Sequence, residues 1–380
     1  MKSALPHLKN GSFPWNPNLK PKADALQDAL AAYSDSQINA ALDAEAYVRG
    51  LDFIRGVQAY HQHPYQRALP PAPTVWQEGG SRLLDYGGPK DGPVVLAIPS
   101  LVNKSYILDL TEKRSLMRTL SQKGVRSYLM DWGDVGPSER TMGLEDYIHG
   151  RLNRCVDHLI KETSRPVCLI GYCMGGVLAT GLAALEPDKI NGLALLATPW
   201  DFHAGEAGYH RFIQASQAPL QQTIDSFNEL PVDVLQSLFA AIDPYSILSK
   251  FEDFSRLDPA SAEAQQFVAM EDWLNDGVPL SAPVAKECLF DWYIHNKPHH
   301  LGWDMDGHVI DPRDITCPTV LFIPEKDRIV PRDSARALGC ALANAEIKHV
   351  KAGHIGMVTG KSAKKCLYDP LSKWLISQNF

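Results

Sequence analysis

One stretch limits the fold more than any other. Val167-Cys168-Leu169-Ile170 is an unbroken apolar run that ends at Gly171, and Tyr172-Cys173-Met174-Gly175-Gly176 follows at once. Next comes a helix-forming segment, Val177 to Leu185. The pattern predicts a buried strand, a sharp turn and a helix. In a turn of the form Gly-x-nucleophile-x-Gly the central residue is strained, and the glycines leave room on either side of it. A helix opening at Met174 aims free N–H groups and the positive end of its dipole at the thiol of Cys173, which favours a thiolate and can hold a developing oxyanion. The same letters also describe a glycine-punctuated strand with an inert core cysteine.

The rest of the chain has to decide between these readings. From Pro93 onward, apolar runs alternate with helical periodicity. Strands are predicted at Val94 to Ile98, Val125 to Met130, 166–171 and Ile190 to Ala197, with helices at 109–122, 144–163 and 174–186. Such alternation implies a parallel, doubly wound sheet. It stops near Trp200 and resumes at Pro318 to Pro324, followed by a helix near 332–342, a strand near Glu346 to Lys351 and a closing helix near 361–378. Asp327 follows one late strand and His354 the next. Nucleophile, acid, base is the chain order of the α/β-hydrolase fold, whose strand ends meet along one edge. Taken singly, Asp327 reads equally as a turn residue and His354 as a loop residue. As an ordered set with the elbow, Cys173, His354 and Asp327 read as nucleophile, base and orienting acid.

The expected fold is therefore α/β: an α/β-hydrolase fold, a doubly wound mostly parallel sheet with an inserted helical cap. Residues 74–199 and 304–380 form the core, and 200–303 form the cap or lid. Residues 1–73 form an N-terminal helical arm (helical from about Ala23 to Tyr60) with a proline-rich linker. The 380 residues have a formal net charge of −7 and no basic tract, which argues against nucleic-acid binding. Seven scattered cysteines suit a reducing compartment, and no C-x-x-C pair suggests zinc. His61 with His63, and His299 with His300, have no carboxylate at ligand spacing and read as loop residues, so no metal site is expected. With no apolar run of signal-peptide or transmembrane length, a soluble cytoplasmic protein without a transmembrane segment is expected.

Several runs resemble the polyhydroxyalkanoate synthases. Gly171-Tyr172-Cys173-Met174-Gly175-Gly176 is similar to their cysteine form of the lipase box. Asp327-Arg328-Ile329-Val330-Pro331 and Gly353-His354-Ile355 resemble their acid and base motifs. Pro99 to Leu110 resembles their oxyanion-side loop, Asp131-Trp132-Gly133 a strand end of their short forms, and Thr198 to Phe202 the start of their cap. The resemblance spans about residues 80 to 380. In length the chain is like the short class III and IV catalytic subunits, which need a second subunit. Glu271 to Pro279 looks more like the long class I enzymes.

The resemblance implies polymerisation of an (R)-3-hydroxyacyl-CoA, 3-hydroxybutyryl-CoA first, through an acyl-Cys173 intermediate. Coenzyme A is then part of the substrate and a product, and no cofactor is expected. Thiol–thioester exchange is nearly isoenergetic and a thioester acylates an alcohol downhill, so cysteine suits the task. The oxyanion donors are expected at Met174 and at Leu101 or Val102, with Asn103, Tyr106 and Trp200 as substrate contacts. His354, supported by Asp327, would activate the attacking hydroxyl; in the family that role is sometimes given to the acid itself. Lys104 and Arg328 are read as solvated surface charge in preference to CoA-phosphate contacts. The aromatic cap would exclude water. Implied partners are the growing polyester, a second copy in a homodimer and a second synthase subunit, with the granule surface as a location. Two alternatives remain: a Cys-triad thioesterase or intracellular polyester depolymerase, and a non-catalytic granule-binding or regulatory subunit.

Overall fold

The computed structural model describes residues 2–205, 209–378 and 380. Eight strands form the main sheet: β1 (Thr74–Glu78), β2 (Ser81–Asp85), β3 (Val94–Ile98), β4 (Arg126–Asp131), β5 (Val167–Tyr172), β6 (Ile190–Leu196), β7 (Thr319–Pro324) and β8 (Ala345–Val350). Their order is β1-β2-β4-β3-β5-β6-β7-β8. β2 runs antiparallel to both β1 and β4, and every other neighbouring pair is parallel. The mostly parallel sheet expected from the alternation is therefore present.

Side-chain alternation fixes the two faces. Val94, Leu96, Ile98, Val167, Leu169, Leu321 and Ile323 point to one core, and Val95, Ala97, Cys168, Ile170, Val320 and Phe322 point to the other. Successive residues of a strand face opposite sides, so a strand buried on both must be apolar throughout. The first core is covered by α2 (Asn153–Thr163), α3 (Met174–Leu185) and α4 (Arg332–Ala341); the second by α1 (Leu116–Gln122) and α5 (Asp369–Ser377).

Two helix expectations change. The helix predicted over 109–122 is a short hairpin, Asp109–Thr111 with Arg114–Ser115, before α1. Ser115 ends the hairpin and caps α1, its hydroxyl accepting from Arg118 N at 3.0 Å. The helix predicted over 144–163 opens as a π-helical turn, Asp146–Leu152, before α2.

A second π-helical segment, Glu287–Ile294, carries a titration of its own. Burial, with Asp291, Asp146 and Glu145 nearby, pushes the Glu287 carboxyl from its ordinary value of 4.5 up to about 7, against a hydrogen bond accepted from Leu144 N. Folding thus favours the protonated acid. That stability is fully present below about pH 4.5 and is lost as pH rises toward 7. Glu287→Gln keeps an oxygen for Leu144 and cannot ionise. The variant is expected to be more stable than wild type at pH 8 by about 2 kcal/mol and nearly equal to it at pH 4.5. Denaturant midpoints across that range check this.

The chain divides into two compact units. One comprises residues 65–243 and 268–380 and holds the sheet; the other comprises residues 1–64 and 244–267. The division differs from the arm, core and cap drawn from sequence, because residues 244–267 go with the N-terminal helices. Within that smaller unit the long helix Asp35–Gln62 starts at a capping box of Ser34 and Gln37 and crosses the helix Pro244–Phe254. A Cβ on Gly56 would stand 2.0 Å from the Phe251 carbonyl oxygen, so the crossing needs glycine. Arg49 makes a two-pronged ion pair with Glu252 at 2.8 and 2.9 Å, and Phe251 packs between Phe53 and Tyr60. Among the described residues no helix is long and apolar enough to cross a membrane.

Candidate active site

β5 ends at Tyr172 and α3 begins at Met174, which leaves Cys173 as the turn. Its backbone lies at φ 56°, ψ −127°, a region that costs a non-glycine residue about 1–3 kcal/mol. Packing holds it there. The Cys173 N–H donates to Leu196 O at 2.9 Å, and its carbonyl accepts from Gly176 N at 2.9 Å. A Cβ on Gly171 would lie 2.3 Å from Gly176 Cα, and one on Gly175 would lie 2.1 Å from Ile98 O and 2.6 Å from Pro99 O. The first turn of α3 thus presses directly on the end of β3.

The other two residues come from the turns after β7 and β8. One Asp327 oxygen accepts from the N–H groups of Ile329 and Val330, both at 2.9 Å. The other meets Nδ1 of His354 at 2.7 Å. The Asp327 side chain is fully buried, and that of His354 is 7% exposed. Backbone bonds from Glu325 to Val350 and from Lys326 to Ala352 tie the two turns together. Burial alone would lower the His354 pKa. Cys173 and Asp327, each with a charge and a hydrogen bond facing the ring, outweigh burial and raise it to about 10. Cys173, His354 and Asp327 are thus brought together as the sequence order suggested. Tyr172 adds a contact that sequence did not reveal: its ring lies 5.4 Å from the imidazole, and its hydroxyl donates to His354 O at 3.4 Å.

The oxyanion-side loop connects β3 to a helical turn, Ser105–Leu108. Among the described residues, the N–H groups of Met174 and Leu101 have no acceptor, whereas Val102 N–H donates to Ser100 Oγ at 3.4 Å. Val102 O accepts from Val278 N at 3.1 Å, and Asn103 forms a bridge with Gly277. Tyr106 is engaged by Asp276 and lies 5.2 Å beneath the Arg67 guanidinium. Trp200 is 2% exposed and packs edge-on against Trp303 at 6.2 Å, so it serves the core where a substrate contact was expected. Lys104 pairs with Asp134 and Arg328 with Asp243. Cys168 is fully buried, and burial pushes the half-buried thiol of Cys317 up to about 11, as inert core cysteines require.

In the cap, Phe202 packs on Tyr293 at 5.0 Å and on Trp292 at 5.5 Å, and Tyr209 packs on Tyr293 at 5.4 Å. Burial raises the Tyr293 hydroxyl, and Tyr209, Cys173 and Cys288 add to the rise, so this cap residue lies within electrostatic reach of Cys173. No spacing in the sequence marks it.

Residues 93–361 match the family model described as the alpha/beta hydrolase fold. The chain is 29% identical over 314 residues to the poly(3-hydroxyalkanoate) polymerase subunit PhaC of Allochromatium vinosum, covering 80% of this chain and 88% of that protein. It is 28% identical over 343 residues to the subunit of the same name from Synechocystis, covering 87% and 90%. These likenesses bear out the resemblance drawn from the motifs. Among solved structures, a non-heme bromoperoxidase, BpoC from Mycobacterium tuberculosis, superposes with a TM-score of 0.52 at 13% identity, over 82% of this chain and 99% of that one. That likeness speaks to the fold alone. Strand order, elbow and family match agree: the chain belongs to the α/β-hydrolase fold family.

Proposed function

We propose that the chain is an acyltransferase that polymerises (R)-3-hydroxyacyl-CoA, with 3-hydroxybutyryl-CoA as the first candidate substrate, into polyhydroxyalkanoate. The observation that carries the reading is the imidazole of His354, held by Asp327 at 2.7 Å and raised to about 10 with Cys173 facing it. An imidazole held in this way can take the Cys173 proton as the sulfur attacks. The similarity to poly(3-hydroxyalkanoate) polymerases supplies the substrate class.

In the first half-reaction the Cys173 thiolate attacks the thioester carbonyl. The N–H of Met174 and one from Leu101 hold the oxyanion; Val102 is the weaker candidate, because Ser100 already accepts its N–H. The C–S bond to coenzyme A breaks, and its sulfur takes the proton from His354. In the second half, neutral His354 takes the proton of a 3-hydroxyl, whose oxygen attacks the acyl-cysteine. An ester forms and Cys173 leaves as thiolate. Every atom is accounted for by substrate and side chains, so coenzyme A is a product and no resident cofactor enters the scheme. Within the unit that holds the sheet, the insertion segments 200–243 and 268–303 are the lid that excludes water from the acyl-enzyme. A homodimer, a second synthase subunit and a cytoplasmic site at the polyester granule surface belong to the same proposal.

The test is incubation of the chain alone with 3-hydroxybutyryl-CoA, following released coenzyme A, turbidity and free hydroxy acid together. Polymer in proportion to coenzyme A is expected. Stoichiometric free 3-hydroxybutyrate with no polymer would replace the synthase with a thioesterase. Polymer formed by the chain alone would also remove the need for a second subunit.

A further inference from the structure

Two buried indoles donate to the loop after β3. Trp132, 6% exposed at the end of β4, donates from Nε1 to Pro99 O at 3.0 Å. Trp273, also 6% exposed, donates from Nε1 to Lys104 O at 2.7 Å. The two bonds bracket Leu101, whose N–H is free among the described residues. Such pairing is not automatic here: the buried indole N–H groups of Trp292 and Trp303 have no partner among the described residues. The Pro99 carbonyl is also the surface on which Gly175 packs, so the Trp132 bond fixes the loop where it meets the elbow. Trp132 itself is braced by Tyr147, edge-on at 5.5 Å. The loop is tied further at Val102, whose carbonyl accepts from Val278 N–H, and just past Lys104, where Ser105 Oγ donates to Asp131 Oδ1 at 3.1 Å.

We propose that Trp132 and Trp273 are positioning residues for acyl transfer: their indole N–H groups clamp the loop at Pro99 and Lys104 and so hold the Leu101 N–H where the oxyanion forms. The inference rests on the acyl-cysteine reading above. A buried carbonyl that loses its donor turns toward any other partner, and its peptide plane turns with it. An oxyanion donor acts by being placed before charge develops, so small displacements cost rate with little effect on binding. Trp273 lies in the cap segment and Trp132 directly follows the core strand β4. The clamp therefore makes the oxyanion hole depend on both, and a cap displacement that breaks the Trp273 bond slows acylation.

The experiment replaces each tryptophan with phenylalanine and, separately, with β-(3-benzothienyl)alanine, which keeps the bicyclic shape and has sulfur where the N–H was. Rapid-quench release of coenzyme A from 3-hydroxybutyryl-CoA reads the acylation rate, KM reads binding and thermal midpoints read packing. The benzothienyl variants are expected to keep the wild-type midpoint and a KM within about twofold, while acylation slows about tenfold at either position. Benzothienyl variants that acylate at the wild-type rate, in a background where Cys173→Ala is silent, would overturn the clamp and leave the acyl-cysteine reading standing. A full burst from Cys173→Ala would remove that reading, and the clamp with it. If a phenylalanine variant fails to fold, the benzothienyl pair still decides.

Discussion

Alanine at position 173 is expected to abolish coenzyme A release from 3-hydroxybutyryl-CoA, a fall of about 10⁴-fold or more against wild type. In the proposed cycle the thiol is the one group that accepts the acyl unit, so neither His354 nor the free N–H groups can substitute for it. The sharper expectation concerns stability. Cys173 sits at φ 56°, where any side chain is strained. Alanine keeps a Cβ and hence the strain, whereas glycine removes it at a smaller entropic cost. Cys173→Gly is thus expected to be as inactive as Cys173→Ala yet more stable than it by about 1 kcal/mol, read from denaturant midpoints. Turnover by the alanine variant at the wild-type rate would end the nucleophile assignment. A glycine variant less stable than the alanine one would show that the elbow is not strained.

What sequence could reveal here was local or ordered along the chain. Strands buried on both faces read as continuous apolar runs, so β3, β5, β6 and β7 were legible to within about a residue. The elbow was legible because its geometry excludes side chains on either side of Cys173, and the order Cys173, Asp327, His354 narrowed the fold. What was not legible depends on distant partners. Nothing local to Pro244–Phe254 announces that Glu252 meets Arg49, or that Phe251 seats on Gly56. The helix expected over 109–122 failed because its first residues pair as a hairpin around the buried Asp109, which gathers Arg67, Arg118 and Tyr86 from separate segments. The loop that resembles an oxyanion-side loop follows β3 and meets the elbow at Pro99. Which of its N–H groups is free, and which indoles restrain it, depends on Trp132 and Trp273, whose roles no periodicity encodes.

The same close packing makes the glycines beside Cys173 sensitive to a single added carbon. Gly175→Ala would put a Cβ 2.1 Å from Ile98 O and 2.6 Å from Pro99 O. Both are backbone atoms at the end of β3, which is held between β4 and β5, so nothing near them can rotate aside. A loss of about 3 kcal/mol or more is expected, together with acylation lost by displacement of the Pro99 carbonyl. Gly176→Ala differs in kind, because its Cβ would meet the side chain of Thr198, with Oγ1 at 1.9 Å and Cβ at 2.7 Å. Thr198 is buried, and its hydroxyl has no partner among the described residues, so removing that side chain forfeits no hydrogen bond. Thr198→Gly is therefore expected to recover much of the stability lost in Gly176→Ala, with a coupling of about 1–3 kcal/mol. It should recover none of the loss in Gly175→Ala. Equal rescue of both would place the two methyl groups in a common, yielding space, and the rigid contact between the first turn of α3 and the end of β3 could not then be what fixes Met174 and the loop in register.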